Sequence, residues 1–258
     1  MALTEYTGLV VKRIPYRESD LIVWLVTREA GLVSAIAVAA RKSRKRFSNL
    51  FDIGNLIEVK ATLRRKGMPR LDSGMLVDGF WELSQSVQAL AATSHVVELT
   101  RRFSVEGQAE PEIVDLAVAA LDELTGKGVG QFILRAFEVK LLVLAGLAPN
   151  LEHCVSCQKV AAEKVDALFS IPRSGIVCGN CRREGEGRPL PAGARSLMRK
   201  IMGAGVPDLF GINFQPECLP PLNLLVPALL EYHLGGPLRS LRFARHLPRP
   251  EKYAAGKC

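Results

Sequence analysis

Residues 7–27 read Thr-Gly-Leu-Val-Val-Lys-Arg-Ile-Pro-Tyr-Arg-Glu-Ser-Asp-Leu-Ile-Val-Trp-Leu-Val-Thr. Two runs rich in β-branched and aromatic residues, 7–14 and 20–27, are separated in this stretch by turn-forming residues such as Pro15 and Ser19. This composition is typical of two β-strands joined by a short connection. The stretch therefore predicts that the chain begins with a β-rich module.

Three further strands are predicted at 32–40, 55–65 and 71–80. The 55–65 run alternates apolar and polar residues, as a half-buried strand does. Five short strands with a longer connection between the third and the fourth fit a small barrel of the OB type, a fold that binds single-stranded nucleic acid with one sheet face and its loops. An SH3-like barrel fits the same strand count.

The longer connection carries Arg41-Lys42-Ser43-Arg44-Lys45-Arg46, which places five cations in six positions. A run this charged cannot be buried, because removing even one unpaired charge from water is costly. It faces either water, as an ordinary solvated loop, or a polyanion such as a nucleic-acid backbone.

Positive charge is concentrated at this end of the chain. The formal net charge of the whole chain is +8. Residues 1–80 contain 14 Lys and Arg against 8 Asp and Glu, a net of +6, whereas the remaining 178 residues carry 20 against 18, a net of +2. This distribution indicates that the N-terminal module is the part of the chain that binds a polyanion.

Three predicted barrel loops supply the candidate DNA-binding residues. They are Arg17 between strands one and two, Arg41, Lys42, Arg44, Lys45 and Arg46 between strands three and four, and Arg64, Arg65, Lys66 and Arg70 between strands four and five. Cations from three loops can converge on one groove. Tyr16, Trp24 and Phe47 are candidate stacking residues, although the apolar strand around Trp24 favours a core position. An aromatic content of only 6% favours phosphate contact over base stacking.

Beyond residue 83 the pattern becomes helical. Helices are predicted from a cap at Ser84 or Ser86 to about Phe103, and at 111–124, 131–145, 191–202 and 223–234. The 131–145 helix is expected to be central and buried, and Arg195, Arg199 and Lys200 are expected to point outward from the fourth helix. The glycine-rich run at 125–130 lacks the strand-turn-helix context of a phosphate loop and is interpreted as a plain connection.

The most specific motif is Cys154-Val-Ser-Cys157 together with Cys178-Gly-Asn-Cys181. Two residues between the members of each pair let both thiolates reach one ion, and the intervening apolar runs 168–171 and 175–177 predict strands that bring the pairs together. Four thiolates close a tetrahedral zinc shell, so a structural zinc is predicted and His153 is expected to lie outside the shell. Redox chemistry is the alternative, but thioredoxin-type motifs do not normally come as two halves at this spacing.

These features predict a multi-domain α+β protein. The predicted domains are an OB-fold nucleic-acid-binding domain at 1–82, a helical domain at 83–150 and 186–245, a zinc-ribbon-like insert at 151–185 and a flexible tail at 246–258. The sequence contains neither a recognisable secretory signal nor an apolar span of membrane length. Cys218 and Cys258 suggest no disulfide framework, so a cytosolic protein without membrane attachment is expected.

The motifs of several enzyme classes are missing from the sequence. It has no Walker-type loop and no HExxH helix, and its four histidines lie far apart without an obvious nucleophile. We therefore expect that the protein is not an enzyme. A metal-dependent nuclease, which requires clustered carboxylates around an open ion site, is one alternative. The other is a protein-binding adaptor, whose DNA affinity would be weak and nearly independent of salt.

Several short motifs, taken in order, resemble the bacterial RecO family of recombination-repair proteins. They are Gly8-Leu-Val-Val11, Tyr16-Arg-Glu-Ser-Asp20, Thr27-Arg-Glu-Ala-Gly31, Ala40-Arg-Lys-Ser-Arg44, the cysteine quartet, Tyr232-His-Leu-Gly235 and Pro237-Leu-Arg-Ser240. The chain departs from the family pattern at Val38-Ala39-Ala40, where a glycine is expected before the Ala-Arg pair, and at Ser174-Gly175, where two glycines are usual. These departures bear on local loop geometry.

The resemblance implies an OB-fold, a helical domain and a zinc-bearing insert in a cytoplasmic, nucleoid-associated protein. It also implies binding of single- and double-stranded DNA, annealing of complementary strands without ATP, and loading of recombinase onto DNA covered by single-strand-binding protein (SSB). The implied protein partners are RecR and the acidic C-terminal tail of SSB. Many relatives lack the full cysteine set, so the zinc is expected to be structural.

Overall fold

The computed structural model describes residues 2–43 and 45–241. The predicted DNA-binding residue Arg44 and the predicted tail at 246–258 lie outside these ranges. The strands are β1 (Ala2–Tyr16), β2 (Asp20–Thr27), β3 (Gly31–Ala37), β4 (Leu56–Leu63), β5 (Arg70–Asp78), β6 (Ala167–Ser170), β7 (Gly175–Val177) and β8 (Arg188–Leu190). The α-helices are α1 (Val87–Phe103), α2 (Pro111–Lys127), α3 (Gln131–Leu144), α4 (Ala192–Gly203) and α5 (Leu219–His233).

The first five strands form a closed barrel in the order β1-β2-β3-β5-β4, and β1 pairs with β4 to complete the circle. All pairings are antiparallel except that of β3 with β5, which joins Ile36 and Ala37 to Arg70 and Leu71. This closed five-stranded arrangement confirms the predicted OB-type barrel.

Both faces are buried in the middle of β1, at residues 8–11, and along most of β2, which explains the continuous apolar runs at these positions. Val10 and Leu25 belong to the barrel core, whereas Leu9, Val11 and Val26 pack into the core shared with the helices. The barrel is thereby joined to the helical part through a continuous apolar contact. A bulge in β1 between Val10 and Lys12 shifts its register with β2.

The helices surround α3, whose side chains are largely buried, as predicted. Ser86 caps α1, because its hydroxyl accepts a hydrogen bond of 3.0 Å from the backbone N–H of Ala89. Helix α5 begins at Leu219, four residues before the predicted start, since Pro220 and Pro221 occupy its first turn, where no intrahelical N–H is required. None of the described helices is both long and apolar enough to cross a bilayer.

The predicted outward orientation of Arg195 is wrong. Its side chain is 2% exposed, and one of its terminal nitrogens donates hydrogen bonds to the carbonyl oxygens of Ala162 and Glu163, the latter at 2.8 Å. The loop before β6 covers this face of α4, and the periodicity of the helix alone contains no information about that loop.

Candidate DNA interface and metal centre

The three cationic connections meet at one end of the barrel. The backbone N–H of Arg41, in the β3–β4 connection, donates a hydrogen bond of 3.0 Å to the carbonyl oxygen of Ser19 in the β1–β2 loop. The N–H of Ile36, near the end of β3, donates to the carbonyl oxygen of Pro69 in the β4–β5 loop at 2.9 Å. The segment from Ile36 to Arg41 is therefore hydrogen-bonded to both the β1–β2 loop and the β4–β5 loop. We call the surface formed by these two loops and the β3–β4 connection the cationic end.

The predicted DNA-binding residues that the structure describes are exposed at this end. They are Arg17, Arg41, Lys42, Lys45, Arg46, Arg64, Arg65, Lys66 and Arg70. Arg41 and Lys42 lie in a 3-10 turn (Ala40–Lys42) that follows β3. Within the described ranges, Arg70 is the member of this set that forms an ion pair with a carboxylate. The other described members of this set form no ion pair with a carboxylate of the described residues.

Asp72 is the anion that pairs with Arg70. The Arg70 guanidinium donates to its carboxylate at 2.8 and 2.9 Å. The pKa of Asp72 lies below its ordinary value, first because the Thr62 hydroxyl donates a hydrogen bond to it and further because Arg70 and Arg46 place positive charge nearby, against the opposing effect of burial. Arg46, in the β3–β4 connection, is thus one of the cations that stabilise the ionised form of Asp72 in β5.

The aromatic candidates differ in their availability. Tyr16 is 39% exposed, and the Arg17 guanidinium lies 5.3 Å from its ring centroid. Phe47 is 4% exposed and packs against Phe51 in the barrel core, so its prediction as a stacking residue is wrong. Trp24 packs against the core shared with the helices, in agreement with the core position favoured by its sequence context.

Sequence reasoning missed Lys12. Its ammonium group lies 4.6 Å from the ring centroid of Trp24, its partner across the β1–β2 pairing, on an outer face of the barrel. Lys12, Arg13 and Ile14 follow the bulge in β1 and are all exposed, so simple alternation does not identify Lys12 as part of a cation–aromatic pair.

The second site is the cysteine quartet, whose four Sγ atoms lie within 4.8 Å of one another. Antiparallel pairing of β6 with β7 confirms the two strands predicted between the cysteine pairs, and β8 adds a third strand beyond residue 185. The backbone N–H of Val155 donates to the carbonyl oxygen of Ile176 at 2.9 Å, which holds the first pair beside β7. Here we call residues 154–157 and 178–181 the first and second knuckles.

The spacing and protonation chemistry of these thiols fit a metal ion. The Sγ atoms of Cys157 and Cys178 are 3.7 Å apart, and a tetrahedral zinc with bonds of about 2.3 Å separates its sulfurs by about 3.8 Å. Backbone N–H groups, that of Cys157 above all, lower the pKa of Cys154 to about 6. The hydrogen bond between Cys181 and Cys178 raises the pKa of Cys181 to about 12. His153 contributes no ligand atom to the cluster among the described residues.

Known protein families match the chain over nearly its whole length. The model of the recombination protein O N-terminal region matches residues 1–80, and that of the C-terminal region matches residues 84–242. A DNA repair protein RecO from Anaeromyxobacter dehalogenans (strain 2CP-C) is 33% identical over 249 residues, covering 94% of this chain and 96% of the relative. The DNA repair protein RecO of Myxococcus xanthus (strain DK1622) is 31% identical over 238 residues, covering 92% and 94%. The chain therefore belongs to the RecO family of DNA repair proteins.

Proposed function

We propose that this protein is a recombination mediator that binds single- and double-stranded DNA through the cationic end of its barrel. The observation that carries this proposal is the meeting of three cationic loops at one end of the barrel. Among the described DNA-binding candidates in these loops, Arg70 is paired with a carboxylate, and the others form no ion pair within the described residues. Exposed cations of this kind bind nucleic-acid backbones by displacing condensed counterions. Such binding does not depend on the base sequence.

The same surface supports annealing of complementary strands without ATP. Two strands repel each other through their phosphates, and neutralisation of that charge on a common surface lowers the barrier to pairing. In this proposal the protein acts by binding and has no catalytic step. RecR and the acidic tail of SSB are the proposed protein partners, and loading of recombinase onto SSB-covered single strands is the proposed outcome.

An annealing assay with two fluorescently labelled complementary strands tests the proposal. We expect the wild-type protein to accelerate pairing without nucleotide and without magnesium, and to leave non-complementary strands unpaired. The variant with Arg44, Lys45 and Arg46 all changed to Glu is expected to lose most of this activity. Normal annealing by that variant would contradict the DNA-binding assignment. Magnesium-dependent strand cleavage by the wild-type protein would favour a nuclease instead.

We also propose that Cys154, Cys157, Cys178 and Cys181 bind a structural zinc ion. Four thiolates leave no coordination position for water or substrate, so the ion would stabilise the fold of the small β6–β8 sheet. Structural zinc contributes about 10–16 kcal/mol of apparent binding free energy in zinc-finger peptides. Zinc content measured by atomic emission is expected to be one ion per chain, and Cys178→Ser is expected to lower both zinc content and solubility.

A further inference from the structure

One side chain connects the two knuckles of the metal centre. Arg173, in the turn between β6 and β7, donates hydrogen bonds to the hydroxyl of Ser156 and to the carbonyl oxygen of Cys181, the latter at 3.1 Å. Ser156 belongs to the first knuckle and Cys181 to the second. A single guanidinium therefore connects the same two knuckles whose four sulfur atoms would bind the metal ion.

Glu186 holds this guanidinium in place. Its carboxylate accepts two hydrogen bonds from Arg173, that from Nε at 2.9 Å, and it also accepts from the Ser170 hydroxyl and from the backbone N–H of Arg183 at 3.2 Å. The Arg173 guanidinium lowers the pKa of Glu186 to about 2, so the carboxylate is ionised at neutral pH. A planar fork bound to a carboxylate in this way has a fixed orientation, which a lysine at the same position would lack.

We propose that Arg173, oriented by Glu186, is a positioning residue that sets the zinc affinity of the four-cysteine site. This inference rests on the zinc binding proposed above. Arg173 supplies no ligand atom. It holds the two knuckles at the separation that the ion requires. The free-energy cost of bringing the two thiolate pairs together on zinc binding is therefore smaller.

A competition titration with a chromogenic zinc chelator tests this role in the full-length protein. Removal of such an outer partner typically costs about 10–100-fold in metal affinity. We expect a zinc dissociation constant raised by about that factor in Arg173→Met, and a smaller rise in Glu186→Gln. Arg183→Met is the matched control, because it removes an exposed guanidinium close to the second knuckle in sequence. The Arg183 side chain makes no hydrogen bond within the described residues.

The absorption spectrum of the Co²⁺-substituted protein gives a second readout that overall stability does not supply. The visible bands of tetrahedral cobalt are expected to be strong in the wild-type protein and in Arg183→Met, and to weaken in Arg173→Met. Arg173→Lys retains the positive charge and serves if the Met variant does not fold. It is also expected to lose affinity, since an ammonium group cannot bridge both knuckles and Glu186 with a fixed fork.

Equal zinc affinities in Arg173→Met, Arg173→Lys and Arg183→Met would overturn the positioning role while leaving the zinc site intact. A wild-type protein that fails to compete with the chelator at all would overturn the zinc site itself. The two failures are therefore distinguishable in one titration.

Discussion

The backbone N–H of Arg41 donates a hydrogen bond of 3.0 Å to the carbonyl oxygen of Ser19, and the Arg41 guanidinium donates a second one of 3.1 Å to the carbonyl oxygen of Glu18. These two contacts bind the start of the β3–β4 connection to the β1–β2 loop. Residues separated by more than twenty positions in the sequence thereby share one surface of the barrel. The cationic end is thus a product of the barrel topology as well as of composition.

Asp72 is expected to restrain DNA binding, because it neutralises Arg70 at the edge of this surface. Asp72→Asn keeps an acceptor for the Thr62 hydroxyl and removes the negative charge. We expect single-strand affinity to rise a few-fold, and the slope of log affinity against log salt to steepen by about 0.7, the value for one additional phosphate contact. Fluorescence anisotropy between about 50 and 200 mM salt measures both quantities.

Glu184→Gln is the control for Asp72→Asn, since it also removes one negative charge but lies in the exposed loop after the second knuckle. It is expected to leave the salt slope unchanged. An Asp72→Asn variant with unchanged or weaker affinity would show that Arg70 does not contact DNA.

Ala39 is expected to destabilise the native loop. Its φ of 57° is in the left-handed region, which costs a residue with a Cβ about 1–2 kcal/mol. Ala39→Gly removes that strain and adds flexibility to the unfolded chain, at a cost of roughly 0.5–1 kcal/mol. We expect a net gain of about 0.5–1 kcal/mol in the free energy of unfolding, measured by urea denaturation.

Gly31→Ala provides the opposite case. Gly31 has a φ of 63°, and an added Cβ would lie 2.1 Å from the carbonyl oxygen of Gln108. This variant is expected to be strongly destabilised. If Ala39→Gly were also destabilised, the left-handed conformation of Ala39 would be wrong.

The left-handed backbone conformation of two loop residues could be predicted from the sequence. Ala39 and Ser174 are the positions where the family resemblance favours glycine, and both adopt left-handed conformations, with φ of 57° and 48°. The strands, the cysteine quartet and the central helix α3 follow from local pattern in the same way. The burial of Arg195 and Phe47 does not, because each is covered by a segment whose path depends on tertiary packing.

A buried ionic cluster is expected to be essential for the helical core. In α3, Arg135 and Glu138 form an ion pair of 2.5 Å, and the Nε2 of His95 lies 2.6 Å from the same carboxylate. Arg135→Met would leave Glu138 buried without its guanidinium partner, which typically costs about 3–5 kcal/mol. Thermal or urea unfolding measures the loss.

Lys127→Met is the control for Arg135→Met, because it removes a surface ion pair with Glu123 at the end of α2. Such exposed pairs contribute about 0–1 kcal/mol. Equal destabilisation by the two substitutions would contradict the structural role of the buried cluster.

His233 is expected to make stability depend on pH. Its Nε2 lies 2.9 Å from the Ser174 hydroxyl, and burial lowers its pKa below the ordinary value of 6.5. The unfolded chain therefore binds a proton at a higher pH than the folded chain does. This contribution to stability is present above pH 6.5 and is lost as pH falls from 6.5 through the folded-state pKa.

His233→Gln tests that dependence, since glutamine keeps a hydrogen-bonding group but does not titrate. Urea unfolding at a series of pH values is expected to show a smaller loss of stability on acidification below pH 6.5 in the variant than in the wild type. Parallel pH profiles for the two proteins would assign the dependence to other groups.

DNA binding at the cationic end is best tested by replacing one cation in each of its three loops. Arg17, Lys45 and Lys66 are all changed to Glu, and single-strand affinity is measured against salt. A wild-type protein with about four neutralised phosphates is expected to lose about fifty-fold in affinity between 50 and 200 mM salt. The control changes the exposed residues Lys159, Lys164 and Arg183 to Glu, which alters the net charge equally. We expect nearly complete loss of binding in the first variant and near wild-type binding in the control. Equal effects of the two triple substitutions would show that DNA does not bind at the cationic end.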